Sequence, residues 1–331
     1  MNILIFEYIT GGGLVGEALP ATLVNEGKLM LNAVVEDFSE LADVQVSIMR
    51  DYRLQRNPCV NDEHVVSAEH DYVEVIDTLS SHVDALLIIA PESGNILSSL
   101  CEKYSNRGFM LLNSTAESIA LVGNKLDTFE YLQGYGVSQI PTYGIENIES
   151  VEADRIIIKP KDGVGCENIH LLTTTQHLSD AINLGEMKNY IIQPYIQAQS
   201  ASLSLLCWQG KCRVLSANIQ KLIETDDSLK LKECVVNALE RNDFIEFSKK
   251  LIKSLPGLKG YIGVDILITN NEVLLVEINP RLTTSYVGLK SALGTNPAEW
   301  LLQTFAKQEL PEIIATINAS VTVEVGAERA A

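Results

Sequence analysis

Basic residues are scarce in this chain. Its 331 residues include 25 Lys and Arg against 43 Asp and Glu, which gives a formal net charge of −18. Such an excess of negative charge repels nucleic acid and anionic membrane surfaces, because both carry the same sign. The composition therefore predicts that neither nucleic acid nor a membrane is a partner. It also requires any anionic ligand to be met by a local group of basic side chains.

Long apolar runs are missing. The apolar run 85–90 lies between Asp84 and Pro91 and is far too short to cross a membrane. The sequence starts directly with the strand pattern of 2–9 and shows no basic leader, so a secretory signal is not expected. These two features predict a cytoplasmic protein.

Paired cysteines and the usual nucleophile motifs are missing as well. The 6 Cys form no C-x-x-C pair, and the 5 His complete no zinc pattern with them. No G-x-S-x-G motif or other triad signature occurs. We therefore expect reduced thiols and a reaction that does not begin with attack by a serine or a cysteine.

The first hundred residues have the pattern of an α/β unit. Apolar strand patterns at 2–9, 44–49 and 85–90 alternate with helical patterns at 22–41 and 73–79. This alternation predicts a parallel, Rossmann-like sheet. Because the chain is long for a single core, we expect two or three compact units in all.

The loop after the first strand is rich in glycine. Gly11, Gly13 and Gly16 have the G-x-G-x-x-G spacing of a dinucleotide site, which would suggest an NAD-dependent oxidoreductase. The match is weak, because Pro20 separates the glycines from the helical pattern and no clear acid follows at the required distance. A plain conformational loop explains the glycines at least as well.

The segment 91–94, PESG, follows the 85–90 strand at its carboxyl end. That end is the usual ligand side of an open α/β sheet. A simple turn explains these residue types equally well.

A hairpin with acidic residues is predicted between 262 and 278. Apolar runs at 262–268 and 273–278 flank an Asn-Asn pair. A two-residue turn would place Asp265 opposite Val276, whereas a three-residue turn over 270–272 would place it opposite Glu277. We predict the odd-length turn.

This register would create a metal site. Asp265, Glu277 and Asn279 would then share one face of the sheet, and such oxygen ligands suit Mg²⁺, with Mn²⁺ as an alternative. Arg281 follows the strand, where its planar fork can hold a phosphate or a carboxylate. The alternative is a hairpin at the solvent edge whose Glu277 merely points outward.

Two lysines suggest a phosphate site. Lys125 opens a helical pattern, and Lys159 ends an apolar strand pattern that runs into the Gly-rich turn 162–165. A lysine at the end of a buried strand requires a partner, and the N–H groups of such a turn can cradle phosphates. A simple hairpin whose glycines adopt positive φ is the competing interpretation, and from this segment alone it is the stronger one.

The pattern D…E-x-N-P-R, formed by Asp265 and the residues from Glu277 to Arg281, resembles the metal-binding strands of the ATP-grasp superfamily. The longer string EINPRLTTSYVGL is similar to the branch of that superfamily that joins tyramine to glutamate in methanofuran biosynthesis. The resemblance implies an α/β, ATP-grasp fold in three parts. These would be a Rossmann-like pre-ATP-grasp domain at 1–112, a small lid subdomain at 113–192 and a C-terminal α+β subdomain at 193–331.

The resemblance also implies roles for particular residues. Lys125 and Lys159 would contact the α- and β-phosphates of ATP, beneath a mobile loop formed by Asp162, Gly163 and Gly165. The remaining implied contacts are Gln193, Pro194 and Ile196 for adenine, and Glu7, Gly11, Gly12, Gly13, Thr283 and Thr284 for the substrates. Pro194 lacks an N–H but keeps its carbonyl, so it can still accept a hydrogen bond from adenine while Ile196 donates one.

Two positions depart from the family pattern or stay open. Ser200 stands where members usually carry a glutamate that holds the ribose, so either ribose binding is weaker or Gln199 is the candidate substitute. Lys221 follows a predicted strand and is a candidate contact for the γ-phosphate, with a surface lysine as an equal alternative.

Taken with the resemblance, the sequence predicts an ATP- and Mg²⁺-dependent ligase. It would join a small-molecule carboxylate to an amine through an acyl-phosphate, with Arg281 and Lys221 acting on the transferred phosphate. A homodimer through the first domain is common among such proteins and is one possible assembly here, although the sequence does not give the oligomeric state. The alternatives are an inactive ATP-binding sensor or scaffold, suggested by Ser200, and the NAD-dependent oxidoreductase.

Overall fold

This computed structural model describes residues 1–163, 169–173, 188–224 and 229–325, and within them the chain forms three sheets. The first domain contains β1 (Asn2–Glu7), α1 (Ala21–Ser39), β2 (Gln45–Asp51), β3 (Asp62–Val66), α2 (Tyr72–Ser80), β4 (Ala85–Ile89), α3 (Ile96–Tyr104) and β5 (Met110–Leu111). Its strands are all parallel and lie in the order β3-β2-β1-β4-β5. The predicted Rossmann-like sheet is therefore confirmed.

The central strands of this sheet are buried on both faces. All five residues of β4 are buried, as are five of the six in β1. Continuous apolar runs of this kind are what a parallel sheet covered by helices requires. Helix α1 covers one face, and its Val34, Val35 and Phe38 share a core with Tyr286 and Trp300 from the far end of the chain. This helix is thereby fixed between the first sheet and the C-terminal part of the protein.

The middle of the chain forms a small antiparallel sheet. It follows α4 (Ala116–Gly123) and α5 (Lys125–Leu132) and consists of β6 (Tyr143–Gly144), β7 (Arg155–Pro160), β8 (His170–Thr173) and β9 (Tyr190–Pro194), in the order β6-β9-β7-β8. The boundary expected after residue 192 falls inside β9, because this strand pairs with β7 over its whole length.

The third sheet is antiparallel and has six strands. This last part of the chain contains β10 (Gln199–Trp208), β11 (Lys211–Glu224), β12 (Leu229–Leu239), α6 (Ile245–Ser254), β13 (Gly260–Ile268), β14 (Val273–Asn279), α7 (Leu289–Leu293), α8 (Pro297–Lys307) and β15 (Val321–Glu324). The strand order is β14-β13-β10-β11-β12-β15. No helix of the described residues is both long enough and apolar enough to cross a membrane.

The hairpin of β13 and β14 differs in one respect from the prediction. Asp265 does lie opposite Glu277, but the three-residue turn is wrong. Ile268 pairs with Val273, which by itself would place Asp265 opposite Val276. A β-bulge between Asp265 and Ile266 leaves Val276 as the extra residue and shifts the pairing by one. The bulge, not the turn, therefore brings the two carboxylates together.

The glycine loop after β1 is held by its own packing. Gly12 has a φ of +100°, a region that favours glycine. A Cβ on Gly13 would overlap the buried ring of Tyr8. That ring is fixed by edge contacts to Phe6 and Tyr72 at centroid distances of 6.4 and 5.6 Å. Close packing thus accounts for a glycine at these positions.

We expect the variant Gly13→Ala to lower the free energy of unfolding by about 1–3 kcal/mol, because the Tyr8 ring cannot move aside in a filled core. Denaturant unfolding measures the change. Gly134→Ala is the matched control, since an added Cβ there meets nothing within 4 Å. An alanine at Gly13 that is as harmless as one at Gly134 would contradict the packing argument.

Candidate active site

One cavity collects residues from all three parts of the chain. Its volume is about 430 Å³, and its lining includes β7, β9, β10, β11, β13, β14 and one face of α1. The predicted residues that line it are Lys125, Lys159, Gly163, Gln193, Pro194, Ile196, Ser200, Asp265, Glu277, Asn279, Arg281, Thr283 and Thr284. The cavity is therefore the place where most of the candidate residues meet.

The acidic residues lie side by side on the floor of this cavity. Asp265 of β13 pairs directly with Glu277 of β14, and Asn279 shares the face of Glu277. Asn279 donates from its Nδ2 to Asp265 Oδ2 over 3.1 Å. A second amide, Gln220 of β11, donates to Asp265 Oδ1 over 2.8 Å.

The two carboxylates differ in their protonation behaviour. Burial and the neighbouring charge of Glu277 raise the pKa of Asp265 to about 7. Burial alone would also raise the pKa of Glu277, but the positive charges of Lys125 and Lys159 outweigh it and hold that pKa below its usual value. A cation bound between these two adjacent carboxylates would stabilise the site, because it would favour the ionised form of both.

The donor set fits Mg²⁺. It offers two carboxylates and the Oδ1 of Asn279, and Mg²⁺ commonly takes one or two carboxylates with the rest of its ligands from water and phosphates. In the described part of the chain, no group of three or more His, Cys, Asp or Glu side chains could hold a metal ion. A cation here would therefore complete its shell with phosphate oxygens and water.

Both lysines are buried beside this acidic pair. Lys125 donates from Nζ to the carbonyl of Gly163 over 2.8 Å and lies 3.2 Å from Glu277 Oε2. It is the first residue of α5, whose N-terminus is capped by the Asn124 side chain. A lysine at the positive end of a helix is placed unfavourably, and Glu277 offsets that cost. Lys159, on β7, is 6% exposed and also lines the cavity.

The expected adenine segment forms the end of β9 and the residues after it. Gln193 is buried and donates to Thr142 Oγ1 over 2.9 Å, so its side chain is already engaged. The Tyr195 N–H is used by the Arg155 carbonyl at 2.9 Å. Pro194 and Ile196 both line the cavity, which leaves their backbone groups as the candidates for a ligand.

Ser200 belongs to a short relay. It donates to Gln220 Oε1 over 2.9 Å, and Gln220 in turn donates to Asp265. Gln199 is exposed and lies outside the cavity lining, because side chains alternate along β10 and Ala198, Ser200 and Ser202 take the inner positions. Gln199 is therefore not placed to substitute for the missing glutamate.

Arg281 is anchored by a residue that was not among the predicted ones. Its Nε lies 3.0 Å from Oε1 of Glu92 and donates to Oε2 at 3.1 Å, while Nη1 donates to the Leu282 carbonyl at 3.2 Å. Burial alone would lower the pKa of Arg281, but the carboxylates of Glu92, Glu277 and Glu26 raise it. The sequence signal for Glu92 was its place after β4, at the ligand side of the first sheet.

The same loop touches the start of the Gly-rich turn. The N–H of Gly94 donates to Asp162 Oδ2 over 3.0 Å. Asp162 therefore contacts the first domain and is not part of the cavity lining. Gly165 lies outside the described residues.

The role predicted for Lys221 does not fit the structure. Lys221 is on β11 between the cavity-lining Gln220 and Leu222, so its side chain points away. It pairs with Glu233 at 3.0 Å and is 54% exposed, which removes it as a γ-phosphate contact.

Glu7 and the glycines Gly11, Gly12 and Gly13 also lie outside the cavity lining. Glu7 Oε2 instead accepts bonds from the Thr10 N–H at 2.7 Å and the Thr10 hydroxyl at 2.6 Å, so it orders its own loop. The dinucleotide interpretation fails on the same loop, because α1 begins only at Ala21 and the glycines do not open it.

Comparisons with known proteins agree with this geometry. The profile of the family "ATP-grasp domain" matches residues 122–285, and that of "pre ATP-grasp 3 domain" matches 44–119. The tyramine–L-glutamate ligase of Methanocaldococcus fervens is 28% identical over 93% of this chain and 95% of its own length.

Solved structures share the fold. The crystal structure of a protein assigned to the ATP-grasp superfamily from Archaeoglobus fulgidus has a TM-score of 0.74 and 23% identity, over 98% of this chain and 92% of that one. N5-carboxyaminoimidazole ribonucleotide synthetase in complex with ADP has a TM-score of 0.71 and 15% identity, over 97% and 80%.

Proposed function

This chain belongs to the ATP-grasp superfamily, and we propose that it is an ATP-dependent ligase that joins a small-molecule carboxylate to an amine. The observation that supports this most is the meeting of opposite charges in one cavity. Lys125 and Lys159 lie beside the carboxylates Asp265 and Glu277, with the fork of Arg281 close by. Such a site can neutralise a polyphosphate and hold a carboxylate at the same time.

In the proposed reaction, the substrate carboxylate attacks the γ-phosphate of ATP. The bond between the γ-phosphorus and the bridging oxygen breaks, ADP leaves, and an acyl-phosphate remains. Lys125 and Lys159 hold the phosphates and offset their charge, and Arg281 orients the carboxylate through its Nη2 end. Asp265, Glu277 and Asn279 would hold Mg²⁺, which when bound supplies positive charge to the transferring phosphate.

The chain's residues do most of this by positioning. Nucleotide and carboxylate are held in one cavity by groups that are already in place, so little reorganisation is needed when charge moves. The side chain of Arg281 is 13% exposed and is fixed by Glu92 at 3.0 Å. In the part of the chain that the structure describes, this anchoring leaves Nη2 of the guanidinium available to the substrate.

For the substrates themselves we propose glutamate as the carboxylate and a tyramine-like amine. The support is the similarity to tyramine–L-glutamate ligases over most of the chain. On this proposal the protein acts in methanofuran-type cofactor biosynthesis.

We expect sustained ADP release when the protein is mixed with Mg-ATP, glutamate and tyramine, and none when any one of the three is left out. A coupled assay for ADP together with mass detection of the amide measures this. A protein that binds ATP but forms no ADP with any tested pair of acid and amine would contradict the ligase and favour the sensor.

A further inference from the structure

One end of the cavity is formed by helix α1 of the first domain. Glu26 and Met30 of this helix line the cavity together with Thr283, Thr284 and Ser285. Positions four apart lie one above the other on one face of a helix, so the carboxylate and the thioether are neighbours. Met30 is 7% exposed, and Glu26 is partly exposed. This end therefore presents an acid beside an apolar wall.

The charges at this end favour a cation. Arg281 lies 3.0 Å from Glu92, and the charge of Glu26 also raises the pKa of Arg281, so a single guanidinium faces more than one carboxylate here. Glu7 packs against Gly27 of α1, accepts hydrogen bonds from Thr10 and is not part of the cavity lining. Burial also raises the pKa of Glu7. Glu26 is thus the carboxylate that α1 directs to this end of the cavity.

The lining beside the proposed metal site has the reverse character. Lys125 and Lys159 lie there and suit an anionic nucleotide. A ligase of this kind must bind a polyanion and an amine next to the same substrate carboxylate. The cavity offers two lysines for the polyanion and the carboxylate of Glu26 on α1 for the amine.

We propose, building on the ligase function above, that Glu26 binds the ammonium group of the acceptor amine and takes its proton, while Met30 packs against the apolar body of that amine. The substrate class is a primary amine attached to an apolar chain or ring. Thr283 and Ser285, held by the Tyr261 hydroxyl at 3.0 and 2.9 Å, complete this end with fixed hydroxyls.

The proton transfer balances with the ligase step. The ammonium gives one proton to the Glu26 carboxylate and becomes a neutral amine. Its lone pair attacks the acyl carbon, a C–N bond forms, and the C–O bond to the phosphate breaks. The second proton of the nitrogen goes to the departing phosphate, which leaves as hydrogen phosphate. Glu26 then returns its proton to water.

An ammonium group could come from either substrate, since an amino acid that supplies the carboxylate also carries one. We assign Glu26 to the acceptor amine because the neighbouring Met30 wall suits an apolar body and not a charged amino acid. Separate titrations of the two substrates distinguish these sources.

The variant Glu26→Gln keeps the size of the side chain and removes its charge. We expect the KM for tyramine to rise by about ten- to a hundredfold, the effect of losing one charge-assisted hydrogen bond. The KM values for ATP and glutamate should stay near those of the unchanged protein, and Glu26→Asp should restore part of the loss. Glu36→Gln is the matched control, an exposed carboxylate of the same helix outside the cavity lining.

Met30→Ser tests the apolar wall. Its KM for phenethylamine should rise by about tenfold, the cost of losing one buried apolar side chain, while that for methylamine should not change. Calorimetric binding of tyramine to the ADP-loaded protein gives a second readout without turnover, and Glu26→Gln should weaken it.

The outcomes separate this inference from the proposed function. If the unchanged protein forms no ADP with any acid and amine, the ligase itself is wrong. If it is active but Glu26→Gln leaves the KM for tyramine unchanged, or raises the KM for glutamate instead, the assignment of Glu26 is overturned and the ligase stands.

Discussion

Glu277→Gln should lower the rate of ADP formation on the order of a hundred- to a thousandfold, the usual cost of removing one fixed charge from a transition-state site. The substitution keeps the size of the side chain but removes half of the carboxylate pair that would hold Mg²⁺. It also removes the partner of Lys125, which lies 3.2 Å from Glu277 Oε2. The apparent affinity for Mg²⁺, measured by titrating the metal at fixed ATP, should fall in parallel.

Two controls keep this result interpretable. Glu272→Gln changes an exposed glutamate in the turn of the same hairpin and should leave activity unchanged. Thermal unfolding of both variants shows whether the fold is intact. Near-normal Mg²⁺-dependent turnover in a folded Glu277→Gln protein would mean that the metal assignment is wrong.

Arg281→Lys should slow acyl-phosphate formation by about a hundredfold while it changes the affinity for ATP by no more than about threefold. The guanidinium donates hydrogen bonds from Nε to Glu92 and from Nη1 to the Leu282 carbonyl, and these two bonds fix the orientation of its plane. A lysine is a point charge and cannot keep this anchor and also present a fork to a carboxylate. The loss should therefore appear in the chemical step.

Calorimetry of ATP binding, set beside ADP release with glutamate and tyramine, separates the two effects. Arg107→Lys is a matched control, because that arginine is half-exposed, lies outside the cavity lining and pairs with Asp77 at 3.7 Å. A proportional loss of ATP affinity and turnover, or no loss of either, would contradict the role given to Arg281.

Local patterns in the sequence were enough for the general plan of the fold. The apolar runs of β1 and β4 and the helical patterns between them predicted the parallel sheet, because period and burial are properties of short segments. The same holds for the pairing of Asp265 with Glu277, although its cause was misjudged. A bulge at Val276 depends on how two strands pack together, and the residue types in the turn do not indicate it.

The lysine pair shows the limit of local reasoning. Lys125 and Lys159 could be singled out, yet their burial next to Glu277 depends on three separate segments of the chain. The γ-phosphate contact predicted for Lys221 does not fit the structure for a related reason. Its neighbour Gln220 faces the cavity, and which of two adjacent strand residues does so is decided by the sheet on which they pack.

What the sequence determined by itself is the identity of the elements and most of the polar residues that line the cavity. What the tertiary structure alone decided is the acidic end of that cavity and the anchor of Arg281. Glu26 and Glu92 belong to the first domain, and Glu92 is 189 positions from the arginine that it holds. Such a contact produces no recognisable pattern of residues along the sequence, because it forms only where the surfaces of two domains meet.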